Sequence, residues 1–368
     1  MRILHLPSNV AGLPIGLVEG ERALGHESHL LTLTTPVWGH PVDHCLALER
    51  RNQLGRWWAY ARALAWDTRG YDLYTFNFGS SILHFPGRGQ PLLDLPFYPR
   101  GARKIFIWQG CDARQRDATS DRARSLKGDA AVASCLVPEC GNGACTPQRD
   151  RERRGAIEKA ARYADHMFAV NPDLLDALPP GHASFLPYTV AGFHSIPPKP
   201  DPFFANGRVN VVHSATDRTC KGSAHVLAAM AELSEEFGDR VGFTFVEGLS
   251  WSEARRRFSH ADLFIDQVLT GWYGGVSVEL MKMGIPTVAF INPDHLARTP
   301  EAFAAELPVV GADPSNLKAV LRDLIRNRER LPELGAAGRR FVERWHAPER
   351  VAAHVLATVF GSSGRLWT

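Results

Sequence analysis

A glycine-dense turn followed by a helix start is the segment of this sequence best suited to bind a ligand. The segment is Gly271-Trp-Tyr-Gly-Gly-Val-Ser-Val-Glu279. Glycines let backbone amides approach a ligand closely, and a helix N-terminus favours an anion. A carboxylate one turn into that helix, Glu279, can accept hydrogen bonds from a sugar diol. The segment could therefore bind phosphate, ribose and hexose, although a plain turn between a strand and a helix would use the same glycines.

A second segment, running from His213 to Gly222, carries two cations, Arg218 and Lys221, next to a predicted helix start. Positive charge, backbone N–H groups and the helix dipole act together on an anion. A pyrophosphate leaving group needs such fixed cations where no metal ion neutralises it. The segment therefore predicts a diphosphate site, with a solvated basic loop as the alternative.

Four cysteines form a third group whose chemistry the sequence leaves open. Cys135, Cys140 and Cys145 are separated by four residues each, and Cys111 lies earlier, in a loop after a predicted strand. Four thiolates could hold a structural zinc ion in tetrahedral geometry. A disulfide and unbonded thiols are the alternatives.

The elements that must position these groups alternate between strand and helix. Buried-strand patterns occur at 2–6, 28–33, 73–78, 104–108 and 166–170, and again at 209–213, 241–246, 261–265 and 287–291. Helical periodicity fills the intervals, which predicts parallel, doubly wound sheets with ligands beyond the carboxyl ends of the strands. Four prolines mark 191–207 as a hinge between domains at 1–190 and 208–346. We expect the helix within 347–368 to cross back to the first domain.

The order and spacing of these motifs resemble those of retaining GT-B glycosyltransferases of the large family-4 type. The resemblance covers almost the whole chain and rests on Gly25-His26, Trp108-Gln-Gly-Cys-Asp112, 164–175, Arg218 with Lys221-Gly222, 271–279 and Gly284-Ile-Pro286. It implies two Rossmann-like domains that face each other across a cleft.

The resemblance also implies roles for individual residues. Arg218 and Lys221 would neutralise the donor diphosphate, and Glu279 would bind the ribose hydroxyls. The remaining donor contacts would come from Tyr273, Gly274, Gly275, Val276 and Ser277. From the first domain, the reacting sugar and the acceptor would meet the catalytic Asp112 and the loop residues Asn9, Gly12, Gln109 and Arg114.

Two departures from the family pattern qualify these roles. Gly271 stands where the family often has a first glutamate that contacts the donor sugar, and Gln109 stands where it has a histidine. A retaining enzyme of this fold does not need a protein base, because the leaving phosphate can take the acceptor proton. We therefore expect transfer of a sugar from a nucleotide-diphosphate sugar, with retention and without a catalytic metal or other required cofactor. A non-catalytic nucleotide-sugar-binding or scaffold protein and a nucleotide-sugar epimerase are the alternatives.

Composition bounds the possible partners and location. The net charge of +3 over 368 residues does not indicate a nucleic-acid-binding protein. No apolar run approaches the ~20 residues that span a bilayer. The first residues form a strand pattern rather than a signal peptide. We expect a cytoplasmic protein with at most peripheral contact at the inner membrane face. Its acceptor could be a glycan, a lipid-linked molecule or a small molecule.

Two groups of side chains outside these motifs also carry expectations. Trp57, Trp58 and Trp66 lie in a helical segment, 53–66, that is rich in arginine. We expect them to pack on the first sheet, with an acceptor platform or shallow contact with anionic lipid as the alternatives. Among the histidines, we expect His295 at the surface and expect His5 and His213 in strands without a partner.

Overall fold

The structure is a computed structural model that describes residues 1–37, 39–125, 145–361 and 364–367. The chain divides into two units, each with its own parallel sheet. The first unit comprises Met1–Gln115, Gln148–Gly192 and Trp345–Thr368, and the second comprises Arg116–Pro147 and Phe193–Arg344. Two parallel-sheet α/β units confirm the predicted fold class.

Seven strands form the sheet of the first unit, in the order β3-β2-β1-β4-β5-β6-β7. They are β1 Arg2–Leu6, β2 Glu27–Thr32, β3 His44–Cys45, β4 Leu73–Asn77, β5 Arg103–Trp108, β6 His166–Ala169 and β7 Ala183–Phe185. The central strands β4 and β5 are buried on both faces, as expected of a parallel sheet covered on both sides. The strand order reverses between β1 and β4, and ligands bind at such a switch point in open α/β sheets.

The first unit includes the helices α1 Leu13–Ala23, α2 Gln53–Arg62, α4 Pro147–Ala161 and α13 Pro348–Phe360. The last helix, α13, packs against α1 near the start of the chain. The approach is close at Gly20, where a Cβ atom would lie 2.1 Å from the carbonyl oxygen of Pro348. A side chain at position 20 would therefore separate the two helices.

Helix α2 continues into a π-helical turn, Ala63–Asp67. The face of α2 that meets the core is not the face that the sequence predicted. The helix buries the small residues Ala59 and Ala63, whereas Trp57, Trp58 and Trp66 are exposed. The prediction that these tryptophans pack on the first sheet was therefore wrong. Helical periodicity identified one face of α2, but it did not show which face meets the core.

Five strands form the sheet of the second unit, in the order β12-β11-β10-β8-β9. They are β8 Val209–Ser214, β9 Val241–Val246, β10 Leu263–Ile265, β11 Thr287–Ala289 and β12 Val310–Gly311. Counted along the chain, this is the 2-1-3-4-5 order of doubly wound folds, with its switch point between β8 and β10.

The second unit contains one helix that precedes these strands in the chain, α3 Arg116–Ser125, and further helices that connect and follow them. The further helices are α5 Arg218–Lys221, α6 Ser223–Phe237, α7 Trp251–Phe258, α8 Gly275–Met283, α9 Pro293–Leu296, α10 Glu301–Glu306, α11 Leu317–Arg326 and α12 Leu331–Trp345. Ser250 caps α7 in a capping box with Glu253.

Candidate functional site

At the switch point of the second sheet, the loops that follow β8 and β10 lie against each other. The Val268 amide donates a hydrogen bond to the Lys221 carbonyl over 3.1 Å. Gly222 makes this approach possible, since its φ is +74° and a Cβ atom would lie 2.6 Å from a methyl carbon of Val268. Lys221, the last residue of α5, is thereby fixed beside the residues that follow β10.

Asp266, the first residue after β10, is the centre of this arrangement. Its buried carboxylate accepts hydrogen bonds from the Lys221 ammonium, from the Gly274 amide at 2.7 Å and from the Ser277 hydroxyl at 2.6 Å. Burial alone would raise the pKa of Asp266, but the charge of Lys221 and the hydrogen bonds from Lys221, Ser277 and Gly274 together outweigh burial and hold that pKa below its usual value. Sequence reasoning missed Asp266, although an acidic residue directly after a buried strand was a signal for it.

The start of α8 adds backbone donors next to Asp266. Gly275 and Val276 occupy its first turn, whose amides have no carbonyl within the helix to pair with. Gly274 precedes them, and a Cβ atom there would lie 3.6 Å from the Lys221 ammonium nitrogen. The structure therefore brings five predicted donor-site residues together: Lys221, Gly274, Gly275, Val276 and Ser277. Tyr273 differs, since its side chain is fully buried and stacked on Trp272.

Arg218 occupies a more exposed position than Lys221. Its guanidinium pairs with the Glu247 carboxylate, with Nε at 2.7 Å, and lies 4.7 Å from the centre of the Phe245 ring. In this state Arg218 interacts with Glu247, whereas Lys221 interacts with Asp266. The two predicted cations thus have separate counter-ions.

Glu279 lies one turn into α8 and faces α7. Its carboxylate accepts hydrogen bonds from Trp251 Nε1 at 3.1 Å and from Arg255 Nε at 2.9 Å. The Arg255 guanidinium also lies over the Trp251 ring at 3.9 Å. Burial raises the pKa of Glu279, and the charge of Arg255 offsets only part of that effect. A carboxylate with two donors keeps lone pairs for further hydrogen bonds.

The space beside Gly271 is filled by His295. A Cβ atom at Gly271 would lie 2.9 Å from two atoms of the imidazole ring, and His295 Nδ1 donates a hydrogen bond to the Gly271 carbonyl over 3.1 Å. The sequence-based expectation of a surface position for His295 was wrong, since this side chain is buried. A glutamate side chain does not fit at position 271 in this arrangement.

Replacing Gly271 with alanine is expected to destabilise the second unit by about 3 kcal/mol. About 1–2 kcal/mol comes from the left-handed backbone, φ +80°, and the rest from overpacking against His295. Gly207→Ala is the matched control, because φ there is +77° and nothing lies within 4 Å of the added Cβ. Urea denaturation should show a clearly larger loss for Gly271→Ala. Equal losses would mean that His295 does not restrict this position.

Three amide side chains lie at the switch-point edge of the first sheet. Asn9 follows β1, Asn77 ends β4, and Gln109 follows β5, so they mark three adjacent strands. Both polar side-chain atoms of Asn9 and of Gln109, and the Oδ1 atom of Asn77, are buried without a hydrogen-bond partner among the described residues. Each such atom costs about 1–3 kcal/mol, so this group of buried amides, here called the amide cluster, is costly unless something binds it.

The loops that carry the amide cluster are shaped by the other predicted first-unit residues. The Asp112 carboxylate accepts hydrogen bonds from the backbone amides of Gln109 at 3.1 Å and Gly110 at 2.6 Å. Arg114 forms a buried two-point ion pair with Asp173 at 2.6 and 3.0 Å. Gly12, at φ +72°, leaves room for the Ala191 backbone, since a Cβ atom there would lie 3.2 Å from the Ala191 nitrogen.

The titration of Asp112 supplies a pH test of this loop. Burial raises the pKa of Asp112 to about 6, against the opposing effect of its backbone hydrogen bonds. A pKa raised on folding means that the folded state binds more protons, so stability is lost as pH rises from about 4 through about 6. Between pH 4.5 and 7, wild type should lose roughly 2 kcal/mol of unfolding free energy relative to Asp112→Asn in urea denaturation. A pH-independent difference would contradict the raised pKa.

The cysteine prediction cannot be followed through the whole cluster. Cys135 and Cys140 lie outside the described residues. Cys111 is exposed in the loop after β5, and Cys145 is half-buried just before α4. Within the described ranges, no group of three or more His, Cys, Asp or Glu side chains is placed to hold a metal ion. The zinc or disulfide clasp stays a prediction.

Two buried histidines have partners that the sequence did not reveal. His5 Nε2 lies 2.9 Å from a Glu21 carboxylate oxygen. His213 Nδ1 lies 2.8 Å from the Ile265 carbonyl oxygen, and its Nε2 lies 2.8 Å from the Ser223 hydroxyl. The expectation that His5 and His213 have no partner was wrong, because each partner comes from a different element.

Solved structures resemble this chain along nearly its whole length, whereas no family model and no curated protein matches it. Sucrose-phosphate synthase from Thermosynechococcus elongatus is 16% identical, with a TM-score of 0.60 over 96% of this chain and 97% of that one. Anabaena HepE in complex with UDP-glucose is 14% identical, with a TM-score of 0.61 over 97% and 100%. A protein described as a UDP-N-acetylglucosamine 2-epimerase from Listeria monocytogenes is 13% identical, with a TM-score of 0.51 over 99% and 97%. At these identities the likeness shows the fold alone, which is the GT-B fold.

No helix in the described part of the chain is long and apolar enough to cross a membrane.

Proposed function

We propose that this protein is a glycosyltransferase that moves a sugar from a nucleotide-diphosphate sugar to an acceptor. The observation that carries the proposal is the convergence of the Lys221 ammonium, the Gly274 amide and the Ser277 hydroxyl at the switch point of the second sheet. A cation, a helix start and a hydroxyl together suit a diphosphate. The fold likeness to HepE, solved with UDP-glucose, supports this class of donor.

Asp266 would hold Lys221, Gly274 and Ser277 in position before the nucleotide sugar binds. It occupies Lys221, Gly274 and Ser277 with a single carboxylate, which is the kind of anion that those donors accept. An arriving diphosphate would share the Lys221 ammonium, which has three N–H donors, and would gain Arg218 from the exposed rim. Fixed cations and amides would then hold the charge that develops on the leaving phosphate.

The reaction would break the bond between the anomeric carbon and the phosphate oxygen of the donor. Its electron pair would leave with the nucleotide diphosphate, and an acceptor hydroxyl oxygen would form the new bond to the anomeric carbon. The leaving phosphate would take the proton of that hydroxyl, so Gln109, which cannot carry a proton, would only orient the acceptor. We propose retention of configuration and no requirement for a divalent metal, since Lys221 and Arg218 would supply the positive charge.

Glu279 would bind the nucleoside end of the donor. Its carboxylate is fixed by Trp251 and Arg255 and keeps lone pairs to accept hydrogen bonds from ribose hydroxyls. A pair of carboxylate bonds to a diol would orient the nucleotide relative to Lys221.

The amide cluster of the first unit supports an uncharged, hydroxyl-rich acceptor. Amide side chains both donate and accept hydrogen bonds, as hydroxyl groups do, and Asn9 and Gln109 have both functions unused among the described residues. The nearby arginine, Arg114, already has Asp173 as an ionic partner. Because the amide atoms are closed off from solvent, the acceptor would reach them only after these side chains or the segment 8–12 between β1 and α1 move.

A panel of nucleotide sugars and free nucleotides tests the proposal. Thermal shift would report binding, and mass spectrometry would report released nucleotide, each with and without EDTA. We expect one donor to raise the unfolding temperature and to release its nucleotide slowly in EDTA. A folded protein that no nucleotide stabilises would contradict the donor-site assignment. Loss of release in EDTA would contradict only metal independence.

The same panel separates the two alternatives. An epimerase, a class suggested by the Listeria monocytogenes structure, would form an isomeric nucleotide sugar that chromatography resolves. A non-catalytic binding protein would be stabilised by a donor and would leave it unchanged.

The expected cytoplasmic location stays a prediction.

A further inference from the structure

Helix α2 presents its largest apolar side chains to solvent. Leu54, Trp57 and Trp58 follow the i, i+3, i+4 spacing of one helix face, and the π-helical turn adds Trp66. Leu54 is 81% exposed, and the three tryptophans are between 53% and 71% exposed. These four residues are here called the tryptophan face.

The tryptophan face is not explained by packing within the first unit. The face of α2 that meets the core carries Ala59 and Ala63, so the helix buries its small side chains and exposes its large ones. Three half-exposed or more exposed tryptophans present on the order of 400 Å² of apolar surface. A patch of that size on a single chain usually marks an interaction site.

The charge around the tryptophan face is positive. Between residues 49 and 70 the sequence has five arginines against Glu49 and Asp67, a local net charge of +3. The positive charge comes from five exposed arginines: Arg50, Arg51, Arg56, Arg62 and Arg69. Two of them also fix the start of the helix, since Arg51 Nε donates to the Leu46 carbonyl at 2.7 Å and Arg56 Nε donates to the Leu48 carbonyl at 2.8 Å.

We propose that the tryptophan face docks on an anionic lipid bilayer. Tryptophan suits the boundary between headgroups and acyl chains because its ring is apolar and its N–H is polar, and leucine adds apolar depth. Arginines beside such a face attract anionic headgroups, and their guanidinium groups can remain in water. The helix would lie in the plane of the membrane surface and would not span it. This function goes beyond sugar transfer and does not depend on the donor site.

Vesicle sedimentation tests the proposal directly. The full chain would be mixed with vesicles of pure phosphatidylcholine or of phosphatidylcholine mixed with the anionic lipid phosphatidylglycerol. We expect binding to the anionic vesicles, at least about 10-fold weaker binding to the neutral ones, and loss of most binding in high salt. Absence of binding to anionic vesicles would overturn the proposal.

Two variants separate the apolar and charged contributions. The triple variants Trp57→Ser/Trp58→Ser/Trp66→Ser and Arg50→Gln/Arg62→Gln/Arg69→Gln should each lower the vesicle partition coefficient at least about 10-fold. These side chains are exposed, so circular dichroism should show an unchanged fold. Leu227→Ser, at an exposed leucine on α6, is the matched control and should bind as wild type does.

Light scattering of the free protein tests whether the tryptophan face instead binds a second copy of the chain. If the face joins two copies of the chain, wild type would be a dimer, the tryptophan variant a monomer, and neither would bind vesicles. That result, or wild-type binding by both triple variants, would overturn lipid docking. Brominated lipids should quench tryptophan fluorescence in wild type and much less in the tryptophan variant.

Discussion

Replacing Lys221 with alanine is expected to lower kcat/KM for donor turnover by about 10²- to 10³-fold. The ammonium would be the cation nearest to the leaving diphosphate, and one preorganised group of this kind typically contributes that much. The same change leaves the buried carboxylate of Asp266 without its ionic partner, since the Asp266 side chain is completely buried. Breaking a buried ion pair costs about 3–5 kcal/mol, so stability should fall together with activity.

A second substitution separates these two effects. In Lys221→Ala/Asp266→Asn the uncompensated charge is gone, whereas the amide can still interact with Gly274 and Ser277. Urea denaturation should show most of the lost stability restored, and turnover should stay as low as in Lys221→Ala. If turnover recovered together with stability, the role of Lys221 would be structural, and the diphosphate assignment would fail.

Replacing Glu279 with alanine is expected to raise the donor KM about 10- to 100-fold with a smaller change in kcat. Hydrogen bonds to a charged group contribute about 1.5–3 kcal/mol, and the ribose would be bound alike in the ground state and in the transition state. The substitution also removes the acceptor for Trp251 and Arg255. Any structural change is therefore expected between α7 and α8. Steady-state kinetics with the donor identified by the nucleotide-sugar panel would measure both constants.

Two controls make the Glu279 result specific. Glu279→Gln keeps an acceptor for Trp251 but loses the negative charge, so its KM should lie between wild type and Glu279→Ala. Glu236→Ala removes a glutamate that pairs with Arg322 and Arg326 on the surface of the same unit and should leave the donor KM unchanged. An unchanged KM in Glu279→Ala would show that the nucleoside binds elsewhere.

The fold was predictable because its signals are local. Each strand pattern is a short run of apolar residues, and glycines follow many of these runs. The structure has strands at the apolar runs and turns at the glycines. The strands that sequence analysis missed are β3 and β12, of two residues each, and β7, of three. Strands this short depend on pairing with a neighbour rather than on a pattern of their own.

The candidate site was predictable only in part because its geometry is not local. Lys221 and the turn that contains Gly274 were identified from their own neighbours along the chain. Asp266 was missed because its importance arises from three donors on two other elements. His295 was misplaced for the same reason, since its burial depends on a glycine 24 residues earlier. The exposed tryptophans of α2 were misassigned because periodicity does not show which side of a helix meets the core.

The contact between α1 and α13 imposes an order on the folding of the chain as it is synthesised. Strands and helices of the first unit emerge from the ribosome early, but α13 follows every residue of the second unit. Its buried side chains, including Val351, Val355 and Leu356, cover α1 only after that point. After Gly192 is made, the apolar surface of α1 therefore stays uncovered while about 150 further residues are added, which at typical elongation rates takes on the order of 10 s. Chaperones that bind nascent apolar helices have their longest opportunity at this surface.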